Sequence, residues 1–379
     1  MAQQVNFSSR VRGLAGRTVF VTGHTGFKGS WLSLWLAQLG ANVHGFSLKP
    51  PTTPSLFELA CVRDSLAGHT EADIRDADAL TKAMQAAQPD LVIHLAAQPL
   101  VRVSYAEPAD TWAANVLGTV NLLEAVRACP SVKAAVVITT DKVYENREWA
   151  WGYREIDPLG GYDPYSASKA ATELAVSSWR RSFFEKGEVL LASARAGNVI
   201  GGGDWSAERL IPDAARAAAA GQELICRNPN ATRPWQHVLC ALHGYLLLAA
   251  GLLENDKKLA TAFNFGPAHN DNLSVGEMLS VLQRHWPGLQ WRVEREKNAP
   301  HEANSLYLDA SQATRLLDWR PAWNLPEALA ATAAWYQAVS KDNARARGCC
   351  LAEINAYADL VDGAAAQEQA LYRYSNENH

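Results

Sequence analysis

A β-branched run, Arg17-Thr-Val-Phe-Val-Thr22, leads directly into Gly23-His-Thr-Gly26-Phe-Lys-Gly29 and then into the apolar segment Ser30 to Leu39. That strand–glycine–helix opening constrains the fold most, because the same alternation then repeats. Asn42 to Ser47, Asp90 to Leu95, Ala134 to Thr139 and Glu188 to Ala194 read as further strands. Between them Asp78 to Ala87, Thr111 to Ala128 and Ser168 to Phe184 have helical composition. Apolar strands separated by helices bury both faces only when the strands lie parallel in one sheet with helices on either side. The expected class is therefore α/β, a doubly wound parallel sheet with a ligand crevice at the carboxyl ends of its strands.

From Gly197 onward the pattern changes to glycine clusters, the alanine-rich Ala214 to Ala220 and a Pro/Asn/Arg stretch, Arg227 to Pro234. This divides the chain into a first domain at 1–196, rejoined by parts of 235–270, a smaller domain at 197–340, and a helical tail at 341–379. The tail shows no chemistry of its own. A net charge of −4 without a basic stripe argues against nucleic-acid binding. The six cysteines have no metal-ligand spacing and read as reduced thiols, so no metal is expected. The greasiest run, Val238 to Leu253, falls short of the ~20 apolar residues of a membrane span and reads as a buried helix. With no signal-peptide pattern in residues 1–16, a cytoplasmic protein is expected.

Glycines at 23, 26 and 29 in a strand-to-helix turn allow a tight turn and close approach of a pyrophosphate to the helix N-terminus. Lys28 lacks the spacing of a P-loop lysine. The second strand ends in Phe46-Ser-Leu-Lys49, with no acid for an adenosine ribose, and Lys49 leaves NADP open beside NAD. Asp73, followed by Ile74, reads either as an adenine-side residue or as a helix cap.

Gly161-Tyr-Asp-Pro-Tyr165-Ser-Ala-Ser-Lys169 places a tyrosine and a lysine on one face at the start of a helix. An ammonium beside the phenol would lower the tyrosine pKa from its usual ~10 and make it a base near neutrality.

Together these segments resemble the extended short-chain dehydrogenase/reductase superfamily and, within it, the nucleotide-sugar 4,6-dehydratases, over roughly residues 15 to 340. Thr22 to Trp31, Gln98-Pro-Leu-Val-Arg102, Thr140-Asp-Lys-Val-Tyr144 and Arg233-Pro-Trp-Gln-His-Val238 look like the branch of that family acting on CDP-D-glucose. The resemblance implies a Rossmann-type fold, an NAD cofactor, CDP-glucose as substrate and a homodimer or homotetramer built on helices near 104–127 and 165–185. It implies that Thr140, Tyr165 and Lys169 carry the oxidation. Gly23, Thr25, Gly26, Phe27, Lys28, Asp73, Ile74, Leu95, Ala96, Ala97 and Asn115 would line the cofactor site, with Tyr165 and Lys169. Arg102, Asn198, Arg209, Arg233, His301 and Glu302 would hold the sugar nucleotide.

A dehydratase also needs an acid and a base for loss of water, and Asp141 and Lys142 are the residues in place. The wider family has Asp-Glu there. Asp141 as acid requires a raised pKa. Lys142 acts either as a base, with burial and Lys169 pushing its pKa down, or as a cation stabilising an enolate. An epimerase or ketoreductase would use the tyrosine and lysine without this pair. A non-catalytic nucleotide binder would be expected to lack the tyrosine or break the glycine loop. His94 and His237 read as structural histidines.

Overall fold

The computed structural model describes residues 7–268, 271–294 and 305–377, with side chains described within 10–363. Its strands are β1 (Thr18–Thr22), β2 (Asn42–Ser47), β3 (Gly68–Glu71), β4 (Leu91–His94), β5 (Ala134–Ile138), β6 (Leu190–Ala196), β7 (Asn198–Ile200), β8 (Glu223–Cys226), β9 (Trp235–His237), β10 (Ala262–Phe265) and β11 (Gln290–Val293). A seven-stranded sheet runs in the order β3-β2-β1-β4-β5-β6-β10. Every pairing in it is parallel. The expected doubly wound α/β class is what the chain forms. β4 and β5 are buried along their whole length, which explains their continuous apolar sequence.

Three differences in helix boundaries from the sequence reading position the site. The helix after the glycine loop starts at Phe27 rather than Ser30, so Phe27, Lys28 and Gly29 already belong to its first turn. The helix read from Ser168 starts at Pro164, which brings Tyr165 into its first turn. The helix expected at 111–128 is divided into Pro108–Trp112, a π turn at Ala113–Leu117 and Gly118–Arg127. The π turn holds Asn115, consistent with the placing of such distortions at functional sites.

The run Val238–Leu253 is a helix buried along nearly its entire length. No helix among the described residues is long and apolar enough to cross a membrane. Two parallel two-stranded ribbons, β7–β9 and β8–β11, extend from the sheet's carboxyl end. The tail forms one helix, Ala346–Glu377, that contributes Cys350, Ile354 and Tyr357 to the main core. Tyr357 meets Trp35 edge-on at 5.8 Å, so the tail is packed against the helix that follows the glycine loop.

Candidate active site

The glycine loop is shaped by contacts that exclude a side chain. Gly23 has φ +74°, and a Cβ there would lie 2.7 Å from the Ala96 nitrogen. A Cβ at Gly29 would collide with the Gly23 carbonyl. Gly26 is different: a Cβ there would meet only the Gly23 oxygen, at 3.4 Å. Gly26 is also the N-cap of the helix Phe27–Gln38, with no side chain capping the first turn. Uncapped N–H groups at the positive end of a helix, beside a cradle that a Cβ would fill, fit a dinucleotide pyrophosphate. Thr25 bonds Ser47 at 2.8 Å and donates to the Leu48 carbonyl at 2.9 Å, fixing the loop against the end of β2.

On the adenosine side, Lys49 stands 3.8 Å from Glu71. A ribose 2′-phosphate would have to compete with that carboxylate, so the residues present favour NAD over NADP. Asp73 is committed to Arg75, which donates to both its oxygens at 2.9 and 3.0 Å. Ile74 is buried and its carbonyl accepts from Asn121 at 3.2 Å, docking this loop on the helix Gly118–Arg127.

Asn115 joins three elements. It accepts from the Gln98 N–H at 2.8 Å and donates to the Gln98 carbonyl at 3.1 Å. It also donates to Ser168 Oγ at 2.9 Å. The loop after β4, which includes Leu95, Ala96 and Ala97, is thereby fixed to the helix Pro164–Ser182 that carries Tyr165 and Lys169. Asp163 caps that helix through the Ser166 N–H, which sets the first turn on which Tyr165 sits.

At the end of β5, Thr140 Oγ1 donates to Asp141 Oδ1 at 2.7 Å. The same residue is a neighbour of the Tyr165 phenol and favours its charged form. Asp141 is buried, and desolvation raises its pKa despite Lys142, Thr140 and Arg233. That is the direction expected for an acid. Tyr165 departs from expectation. Burial pushes its phenol up to about 12, and the groups that pull it back are Thr140 and Arg209, not Lys169. Lys169 Nζ donates instead to the Ile138 carbonyl at 3.3 Å. Burial, then the neighbouring Lys28, brings Lys169 down to about 7, with Glu173 opposing. The i, i+4 spacing put both side chains on one face, but the ammonium turns under β5. The cation facing Lys169 is thus Lys28, where the sequence reading had Lys142.

Above these groups lies a cavity of 720 Å³ lined by Thr140, Asp141, Lys142, Tyr165, Lys28, Arg102, Asn198, Arg209 and Arg233, among others. Lys28, assigned from sequence to the cofactor, also faces this cavity. Burial, then Arg209, lowers its pKa to about 8. Arg209 is held by Asp204 at 3.0 Å. Arg102 and Arg227 meet on one carboxylate, Glu208, at 3.3 and 2.7 Å. From sequence the Gly201–Trp205 loop, which holds Asp204, reads as shaping the pocket, whereas sequence reasoning missed Glu208, Arg227 and Glu173. Of these only Glu173, four residues beyond Lys169, carried a readable signal. His301 and Glu302 lie outside the described residues. His94 has partners on both nitrogens, Thr22 at 2.6 Å and Thr119 at 3.0 Å, and is a structural histidine. Among the described residues no cluster of candidate metal ligands occurs.

Against known proteins, the chain matches the family model described as GDP-mannose 4,6 dehydratase over residues 20–332. It is 50% identical over 329 residues to a CDP-glucose 4,6-dehydratase of Salmonella typhimurium, covering 85% of this chain and 91% of that protein. A dTDP-glucose 4,6-dehydratase of Xanthomonas campestris is 28% identical over 345 residues, covering 84% and 93%. Among solved structures, an epimerase from Methanothermobacter thermautotrophicus superposes with TM-score 0.77 at 22% identity, covering 89% of this chain and 97% of that one. A dTDP-glucose 4,6-dehydratase from Bacillus anthracis in complex with NAD gives TM-score 0.71 at 20% identity, covering 86% and 98%. These structural likenesses establish the fold.

Proposed function

The chain belongs to the GDP-mannose 4,6 dehydratase family, and from that premise we propose that it converts CDP-D-glucose into CDP-4-keto-6-deoxy-D-glucose. It is an NAD-dependent hydro-lyase. The observation that carries the specific reading is the place of Thr140, whose hydroxyl donates to Asp141 and which also draws the Tyr165 phenol's pKa down. One residue thereby couples the group suited to oxidation with the group suited to elimination.

When bound, NAD+ supplies the hydride acceptor for C4 and the hydride donor for C6. Gly23, Thr25, Gly26 and the first turn at Phe27 would hold it, with Asn115 fixing the loop 95–98 alongside. Tyr165 takes the proton of the C4 hydroxyl as the C4–H electron pair leaves. Arg209 and Thr140 favour the phenolate form that accepts this proton. The C4 ketone acidifies C5–H, and Lys142 serves the loss of that proton either as the base or as the cation that stabilises the enolate. Asp141, whose pKa burial raises in the direction an acid needs, gives a proton to the C6 hydroxyl, which departs as water. Hydride addition at C6 and return of the proton to C5 complete a cycle with no net oxidation. Arg209 and Arg233, with Asn198, are suited to the diphosphate of the sugar nucleotide.

The same reading divides the chain into a cofactor domain at 1–196, a substrate domain at 197–340 and the tail, and places the protein in the cytoplasm. Leu117 and Leu174, 59% and 61% exposed, support a homodimer formed through the helices that carry them.

The test is incubation with NAD+ and CDP-, dTDP- or GDP-linked sugars. The expected result is a 4-keto product from CDP-glucose in preference, with no net NADH. Accumulating NADH would indicate a plain dehydrogenase, and preference for another base would displace CDP-glucose.

A further inference from the structure

His237 ends β9 at a point where four parts of the molecule meet. Its ring lies edge-on to Trp31 at 6.2 Å and to Trp323 at 4.7 Å. A Cβ placed on Gly201, in the cavity wall, would come within 3.4 Å of its Nε2 and 3.3 Å of the Phe27 ring. From the tail helix, Glu353 reaches in so that its Oε2 lies 3.5 Å from His237 Nε2, with side-chain exposures of 14% and 0%. His237 Nδ1 accepts from the Leu239 N–H at 3.3 Å, so the neutral ring carries its proton on Nε2, facing the carboxyl. Neither Nε2 nor Oε2 has a hydrogen-bond partner at normal distance. Burying two such groups face to face costs free energy unless they serve each other.

The ribbon that His237 belongs to is part of the substrate cavity. β7 pairs with β9 in the register Asn198↔Trp235 and Ile200↔His237. Arg233 lies two residues before the start of β9, and its carbonyl accepts from the Trp235 N–H at 2.9 Å. We propose that Glu353 is a positioning residue: from the tail helix it holds His237, and through His237 the ribbon that presents Asn198 and Arg233 to the sugar nucleotide. The tail lies beyond the matched family region, which ends at residue 332, yet it supports the binding wall.

At neutral pH each member carries one proton, the neutral ring on Nε2 and the carboxyl its own. Burial pushes the Glu353 carboxyl up to about 8 and the His237 imidazolium down to about 3. Above about pH 8 the carboxyl proton is lost and an uncompensated carboxylate faces the ring. The other titratable groups near the pair on the tail helix are Cys349, Cys350 and Tyr357, all raised by burial. Arg347 is turned away to the carbonyls of Ala60 and Cys61, each at 3.0 Å. From the facing elements come Trp31, Trp323 and Gly201, which do not titrate, and Cys240, whose thiol burial also pushes up.

The inference rests on the nucleotide-sugar reading, so wild-type turnover of CDP-glucose is established first, and its failure counts against that reading alone. Glu353→Leu should raise KM for CDP-glucose by about tenfold with kcat within about twofold, the signature of a lost binding geometry. Glu353→Gln keeps an acceptor for Nε2–H and should restore the wild-type KM at pH 7. Between about pH 7 and 9 the wild-type KM should rise while that of Glu353→Gln stays flatter. Lys28 and Lys169 titrate in both proteins, so the difference between the two profiles isolates Glu353. An unchanged KM in Glu353→Leu overturns the proposal. If that variant fails to fold, an alkaline rise in Glu353→Gln as steep as in wild type overturns it equally.

Discussion

Glu173 stands one helical turn beyond Lys169 and accepts from Arg195 at 2.8 Å, both side chains being sealed from water at 3% and 4% exposure. Thr139 and Ser193 donate to the same carboxylate at 2.5 and 2.8 Å. Arg195 also donates to Tyr144, which donates in turn to Asn264 on β10. One carboxylate thus ties the catalytic helix to β5, to β6 and, through Arg195 and Tyr144, to β10. Removing its charge leaves a buried guanidinium unpaired. Glu173→Gln should lower stability by about 3–5 kcal/mol. Urea denaturation checks this, and a loss within error would mean the pair is dispensable.

Lys169 makes stability depend on pH in a direction that can be worked out. Its folded pKa of about 7 lies below the ordinary 10.5. Between those values the unfolded chain binds more protons, so stability contributed at this site rises with pH across the window and is at its lowest below about 7. Lys169→Met has no such proton to lose. The Tm of wild type minus that of Lys169→Met should therefore increase from pH 7 to pH 10, as measured by calorimetry without cofactor. A flat or falling difference would refute the buried, weakly basic lysine.

Gly26 and Gly29 should respond differently to the same substitution. Gly29→Ala collides with the Gly23 carbonyl and should disrupt the loop itself. Gly26→Ala adds a Cβ with only a 3.4 Å contact, at φ −76°, a conformation alanine adopts readily. It should leave the apoprotein melting temperature within experimental error and weaken NAD binding by about tenfold or more, because the methyl occupies the pyrophosphate cradle. Titration calorimetry with NAD+ measures the second effect.

Asp141→Asn separates the two halves of the reaction. Oxidation at C4 depends on Tyr165, whereas loss of water needs the proton that Asp141 carries. The variant should still reduce NAD+ transiently with CDP-glucose and should dehydrate more slowly by on the order of 10²–10⁴-fold. Rapid-quench analysis of the sugar products distinguishes the steps, and an unchanged dehydration rate would remove Asp141 from the elimination.

Much of this was legible in the sequence because continuous apolar strands and glycine spacing are local signals. β2 spans Asn42–Ser47, the bounds read from the sequence, and Gly23, Gly26 and Gly29 announced the loop. The direction in which a long side chain points is not local. Tyr165 and Lys169 share a helix face, yet the ammonium is drawn to the Ile138 carbonyl, a preference set by β5. Lys28 looked like a cofactor residue because of its place in the glycine loop. Starting the helix at Phe27 turned it toward Asp141 and Arg209. The β8–β11 ribbon joins Glu223 to Gln290, and Glu353 meets His237 across more than a hundred residues, separations that no periodicity spans.

The central claim is that the hydrogen taken from C4 is the one delivered to C6 of the same sugar. CDP-glucose deuterated at C4, turned over in ordinary water, tests this directly by mass spectrometry and NMR of the product. The account predicts one deuterium in the C6 methyl group and a solvent hydrogen at C5. A methyl group free of deuterium would contradict it.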